Sequence, residues 1–391
     1  MMELSIKIRS VIISNMDVIY SIAANFAGGG IGTTSYNAVS GIDRHKFLKK
    51  LYCVTYQESE IADDLIQKYP TAFLDRVSFL PQNKRYLAKD SLFDFFVSRN
   101  DLTCDIFHGW NGHCLRSLKK AKMNGAITFL ERASSHINTY EKLVSEEYRK
   151  WGIKSDVISN YSKKRLIEEY NTSDFINIPS EFAYKSMVEN GIPKEKLNKL
   201  PFGVDTSKFK AKSEKRKENL EYMVLFVGQV GFRKGIPYLL EAWQSLKLKN
   251  ARLYLVGGEE EAAKEYLRDF RSDPTIEFVG FTNPLSYYQA ADIFVFPSIE
   301  EGSALVNYEA LACGLPVITT FNSGSVVEDG KSGFIIPEAD IASISEKINY
   351  FYEHPRKEAE FSLSARKLAE EFTWKNYGER LVDVYLKKLK S

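Results

Sequence analysis

Two glutamates, Glu301 and Glu309, stand eight positions apart in the run PSIEEGSALVNYEALACGLPVI, residues 297–318. A carboxylate that accepts a hydrogen bond from a neutral hydroxyl contributes roughly 1.5–3 kcal/mol, so such a pair suits a ligand rich in hydroxyls. Eight helical residues turn about 80° past two full turns and rise ~12 Å. The two carboxylates therefore cannot grip one diol and are expected to hold different parts of a ligand. Around them the pattern reads as a strand at 293–296, a loop, a helix at 303–313 closed by Gly314, and a strand from Val317. A helix opening at Ser303 turns the amides of Ser303, Ala304 and Leu305 towards a phosphate. Phosphate-binding amides between two carboxylates suit a nucleotide-sugar, with Glu301 on the hexose hydroxyls and Glu309 on the ribose. The plainer reading makes Glu301 a helix-start charge and Glu309 a solvated helix position.

Other residues with the right chemistry sit in loops after apolar strands. Arg233 and Lys234 lie in GQVGFRKG (228–235), just past the buried strand 223–227. A guanidinium binds a diphosphate bidentately and an ammonium acts on it as a point charge, and Gly228 at the strand end lets backbone approach closely. Gly257 and Gly280 end the strands 251–256 and 275–279, and their loops are expected over a base. Near the start, strand 17–24 leads to GGGIG at 28–32, with Thr33 or Thr34 capping a helix. A dinucleotide site would want an acid about 20 residues on, for which Glu58 or Glu60 would serve. His108 is expected just past a strand at 103–107, at a cleft edge or else satisfied in the core. Cys104, His108, His113 and Cys114 lie close in sequence, but their spacing fits no common zinc finger, and buried structural cysteines are the better reading.

These loops must be held by strands and helices in alternation, which describes parallel doubly wound α/β sheets. With 391 residues the chain calls for two domains. The charged stretch 208–221 is the best boundary, dividing 1–206 from 207–373, with a last helix at 374–391. A hydrophobic fraction of 44% marks a folded chain, and a net charge of +2 argues against a nucleic-acid binder. No apolar run is long enough to span a bilayer, no secretory signal is read at the N-terminus, and four scattered cysteines fit a reducing cytoplasm. The basic clusters Lys119/Lys120 and Lys163/Lys164/Arg165 allow peripheral contact with the inner membrane surface. A strand-like run at 10–14 has no assigned place.

The stretch from Glu301 to Glu309, followed by ALACGLPVI, resembles the E-x7-E signature of retaining GT-B glycosyltransferases, family 4. That family usually has an aromatic-Gly pair where Ser303-Ala304 stand, and an arginine where Gln229 stands. The RKG loop, the segment SEFAYKSMVENGIPKEKLNKLPFGVDTSKF, the glycine run and DIFHGW resemble further family segments in the same order, covering the chain from about residue 25 onwards. The resemblance implies two Rossmann-like domains facing a cleft, with the C-terminal helix crossing back to the first. It implies transfer of a hexose from a nucleoside diphosphate sugar to a glycan, lipid-linked or small-molecule acceptor, with retention. Gly29 and Gly30 would lie beneath the donor phosphates, His108 near the donor sugar, and Arg233, Lys234 and the helix amides at the leaving group. No cofactor and no metal are expected, because no DxD-type motif stands in the loops. A non-catalytic binding subunit, or an epimerase or phosphorylase on the same fold, are the alternatives.

Overall fold

The computed structural model describes residues 16–390 apart from 58, 72, 75–81, 155–156 and 212–220. The run at 10–14, Glu58 and most of the charged stretch 208–221 lie outside the described residues. The first sheet has seven parallel strands: β1 (Val18–Phe26), β2 (Leu48–Tyr56), β3 (Ile66–Lys68), β4 (Ile106–Trp110), β5 (Ile127–Glu131), β6 (Phe175–Ile178) and β7 (Leu197–Lys199). Their order is β3-β2-β1-β4-β5-β6-β7. The second has six: β8 (Tyr222–Val227), β9 (Ala251–Val256), β10 (Ile276–Gly280), β11 (Ile293–Phe296), β12 (Val317–Thr320) and β13 (Gly333–Ile336), in the order β10-β9-β8-β11-β12-β13. Every pairing is parallel. Parallel strands covered on both faces read as nearly continuous apolar runs, which is why MVLFV and IFVF stood out in the sequence.

In β1 the period of two splits the core. Val18, Tyr20 and Ile22 face the helices Ile31–Arg44 and Trp374–Leu389, while Ile19 and Ala23 face the helices on the other side. The C-terminal helix does cross back to the first sheet. It meets helix Ile31–Arg44 at a glycine pair, where a Cβ on Gly41 would stand 2.6 Å from the Gly378 Cα. The crossing begins at Val204, whose amide donates to the Phe372 carbonyl at 2.9 Å.

Strand β4 starts three residues later than the sequence suggests. Asp101 accepts the Thr103 amide at 2.9 Å, forming a local turn that competes with strand. Asp105 then ties its carboxylate to the Asp17 amide at 2.7 Å, and the strand begins beyond it. His108 therefore lies inside the strand and not past its end. Strand β3 and the helices Gln82–Ser98, Ile341–Glu353 and Pro355–Glu371 were not read from sequence.

Candidate active site

In both sheets the strand order reverses once, between β1 and β4 and between β8 and β11. Ligands of open α/β sheets bind in the crevice that such a reversal opens at the carboxyl ends of the strands. Here the two crevices face each other. An inner cavity of about 340 Å³ is lined by Gly30, Ile31, Thr34, Ala133 and Phe202 from one side, and by Lys234, Glu301, Ser303, Ala304, Leu305 and Val306 among others from the second domain. An outer cavity of about 970 Å³ takes in Gly29, Lys208, Gly257, Gly258, Phe281 and Glu309. Val227, Gly228, Gln229 and Val306 line both, so the two are chambers of one cleft.

The glycines set the floor. At Gly228 φ is +148° and at Gly257 +150°, backbone that side chains rarely adopt. A Cβ on Gly257 would overlap the Gly228 carbonyl oxygen. Gly30, with φ of +62°, is itself the N-cap of helix Ile31–Arg44. Neither threonine caps that helix: Thr33 Oγ1 donates to the Gly28 carbonyl at 2.9 Å, and Thr34 lines the inner cavity. Gly280 lines neither cavity. It supports the floor from below, its carbonyl accepting the Gly257 amide at 2.9 Å.

At the inner end Lys234 pairs with the Glu301 carboxylate, and Arg233 Nη1 stands 3.2 Å from the same oxygen. Burial drives the Lys234 ammonium well below its ordinary pKa; Arg233 adds to this and Glu300 opposes it. Lys234 lines the cavity, whereas Arg233 does not. Arg233 donates instead to the Glu300 carbonyl at 2.9 Å, so the expected two-cation clamp reduces to one cation with a second behind it.

The helix carrying the second carboxylate is Leu305–Ala312, with Ala304 as its N-cap. It opens two residues later than the sequence suggested. The Ala304 amide is taken by the Ser323 carbonyl at 3.1 Å, so Ala304 is not a phosphate donor. The amides that a helix leaves free at its start are here those of Leu305 and Val306, and both residues line the cleft. Glu309 lies in the outer chamber, where its Oε2 accepts from Tyr288 Oη at 3.0 Å. Burial lifts its pKa to about 7, against smaller lowering effects of Tyr288 and Lys208.

His108 lines neither chamber. It is fully buried; Nδ1 pairs with Tyr385 Oη on the C-terminal helix, and Nε2 lies 3.2 Å from Glu131. The Tyr20 ring packs on it at 4.6 Å. The placement of His108 at the donor sugar is thus corrected to the core beneath the crossover helix. The neighbouring thiol and imidazole groups do not converge on a point either. Cys104 Sγ contacts the Leu102 carbonyl, His113 Nδ1 accepts the Ala23 amide at 3.2 Å, and Cys114 Sγ contacts the Trp110 carbonyl. Of the basic clusters, Arg165 is buried against Asp94 and Glu169, and Lys119 and Lys163 are paired with Glu168 and Glu141.

Glu300 was passed over in sequence and proves fully buried between the domains. Its Oε1 accepts from Ser134 Oγ at 2.8 Å and Ser135 Oγ at 2.7 Å, both just after β5. Beside it, Ser180 Oγ donates to the Gly302 carbonyl at 2.6 Å. These contacts join segments more than 100 residues apart, and only the run of polar residues ERASSH after β5 hinted at them.

Residues 207–368 match the family model described as "Glycosyl transferases group 1". The capsular polysaccharide biosynthesis glycosyltransferase CapM of Staphylococcus aureus is 28% identical over 200 residues, 46% of this chain and 53% of that protein. A GDP-mannose-dependent alpha-(1-6)-phosphatidylinositol monomannoside mannosyltransferase of Mycolicibacterium smegmatis is 27% identical over 240 residues, 55% and 62% of the two chains. The chain spans about half the length of the curated relatives it matches. Among solved structures, sucrose-phosphate synthase of Thermosynechococcus elongatus superposes with a TM-score of 0.72 at 16% identity, covering 96% of this chain and 100% of that one. The protein therefore has the GT-B fold, and its residues 207–368 are similar to the glycosyl transferases group 1 family.

Proposed function

We propose that this chain is a glycosyltransferase that moves a hexose from a nucleoside diphosphate sugar to a carbohydrate or lipid-linked acceptor, with retention at the anomeric carbon. The observation that carries the reading is the pair of joined chambers, one holding Lys234 and Glu301 and the other Glu309. The base and ribose occupy the outer chamber, with Glu309 on the ribose. The diphosphate lies between Lys234 and the amides of Leu305 and Val306, and the hexose lies beside Glu301. The acceptor enters past Gly30 and Thr34 of the first domain.

When the bond from the anomeric carbon to the diphosphate oxygen breaks, negative charge gathers on the leaving oxygen. A fixed ammonium and helix-start amides stabilise that charge without reorganising. The acceptor hydroxyl forms the new bond on the face the diphosphate leaves, and its proton passes to the departing diphosphate. Glu301 is already engaged by two cations, which suits a hydroxyl acceptor better than a nucleophile. Two relatives are named for mannosyl or capsular polysaccharide synthesis, one of them GDP-mannose-dependent and alpha-linking, which supports a hexose donor and an alpha product. Independence from metal ions, action on the cytoplasmic side and peripheral contact with a membrane belong to the same proposal.

A panel of UDP-, GDP- and ADP-hexoses tests it, with nucleoside diphosphate release followed with and without EDTA. One donor is expected to be consumed at an unchanged rate in EDTA, giving a product whose anomeric coupling by NMR matches the donor. An inverted product rules out retention, and loss of rate in EDTA rules out metal independence. Absence of both release and nucleotide binding rules out the enzyme.

A further inference from the structure

Glu300 is a carboxylate with no exposed surface that belongs to neither chamber's lining, yet it touches both domains. Oε1 gathers Ser134 Oγ, Ser135 Oγ and, at 3.4 Å, the Ser135 amide from the first domain. Oε2 accepts no hydrogen bond and looks across 3.5 Å to Arg233 Nη1. That same nitrogen reaches Glu301 Oε2, which is also the partner of Lys234. A chain of four side chains thus runs from the first-domain loop to the cavity wall. The loop closes tightly behind it: a Cβ on Gly302 would overlap the Ala133 carbonyl.

We propose that Glu300 is a positioning residue, which ties Arg233 to the Ser134–Ser135 loop across the cleft and so sets the Lys234–Glu301 pair only when the domains are closed. This rests on the glycosyl transfer reading for its effect on turnover, but not for its effect on closure. An open cleft takes the serine donors away from Oε1 and leaves the buried carboxylate facing Arg233 alone. Closure and the Arg233 position are then linked through one group. Without the Glu300 charge, Arg233 turns fully to Glu301 and competes with the sugar hydroxyls. Lys234, faced by Arg233, Glu300, Glu301 and the Phe296 ring at 5.3 Å, also loses one of the anions that keep its proton in place.

Two variants of the full chain separate this from a merely structural role: Glu300→Gln, and Ser134→Ala with Ser135→Ala, which leaves the second domain untouched. Small-angle scattering reads the cleft without any turnover, and both variants are expected to show a larger radius of gyration than the parent. On the sugar nucleotide that the parent consumes, each should lower kcat at least tenfold. The triple variant should lose no more than the worse of the two, as expected for groups acting through one contact. The alkaline limb of kcat/KM should move to lower pH in Glu300→Gln. Unchanged scattering in both variants, multiplicative losses in the triple variant, or kcat within twofold of the parent overturns the proposal. If the parent consumes no sugar nucleotide, the glycosyltransferase reading falls and scattering alone decides the tie.

Discussion

Glu301 and Glu309 are the same residue type eight positions apart, yet their surroundings differ. Glu301 stands against Lys234 and Arg233, while Glu309 meets the Tyr288 phenol and the more distant Lys208. Glu309→Gln should weaken free nucleoside diphosphate and sugar nucleotide alike, by about 10- to 150-fold if a charged acceptor is lost. Glu301→Gln should spare the free nucleotide and depress transfer by a similar factor; calorimetry and initial rates measure the two. Acidity adds a second test. Because burial raises the Glu309 pKa to about 7, its folded form holds a proton that the unfolded chain releases at lower pH. Its contribution to stability is therefore present at acid pH and lost as pH rises through about 7. In the proposed site the ionised form is the better acceptor for ribose hydroxyls, so affinity for a sugar nucleotide should rise between about pH 6 and 8. That slope should vanish in Glu309→Gln.

At the scale of elements, three strand-to-helix turns carry residues into the inner chamber: after β1, after β8 and after β11. Each places a helix start at the carboxyl end of a strand next to a reversal of strand order. The helix Ile31–Arg44 brings Gly30 and Thr34 to the cleft, and its own position depends on the C-terminal helix lying against it at Gly41 and Gly378. A larger side chain there must push the helices apart, since overpacking a close crossing typically costs about 1–3 kcal/mol. Gly41→Leu should lower the denaturant midpoint accordingly. Turnover should fall with it as the glycine turn is displaced, while nucleotide affinity, set in the second domain, should change little.

Over the whole molecule, the C-terminal helix returns from the second domain to roof the first. It brings Tyr385 onto His108, which in turn contacts Glu131. This chain of buried polar groups gives the histidine a structural task. His108→Ala and Tyr385→Phe should each destabilise the protein by about 1–3 kcal/mol, the cost of leaving a buried polar group unpaired. Combined, they should cost less than their sum, because they share one contact. Chemical denaturation measures this; a fall in turnover at unchanged stability would return His108 to the cleft chemistry.

Local pattern was enough for most strands, though not for β3 or the start of β4, because parallel strands buried on both faces leave apolar runs bounded by glycine and proline. It was enough for the glycine floor as well, since Gly228 and Gly257 adopt backbone that other residues avoid. Glu309 and Lys234 could be singled out by their place beside such runs, and both line the cleft. What the sequence could not contain was the partner across the cleft. Glu300 looks like any loop acid until Ser134 and Ser135 are placed on it, and Arg233 looks like a clamp until Glu300 draws it behind Lys234. His108 was misplaced by a three-residue shift in β4, a matter of one turn held by Asp101 and one tie from Asp105 to Asp17. The Ala304 amide looked free until the Ser323 carbonyl took it. Apart from the local Asp101 turn, the deciding contacts join groups that local sequence pattern does not pair, and only folding brings them within hydrogen-bond reach.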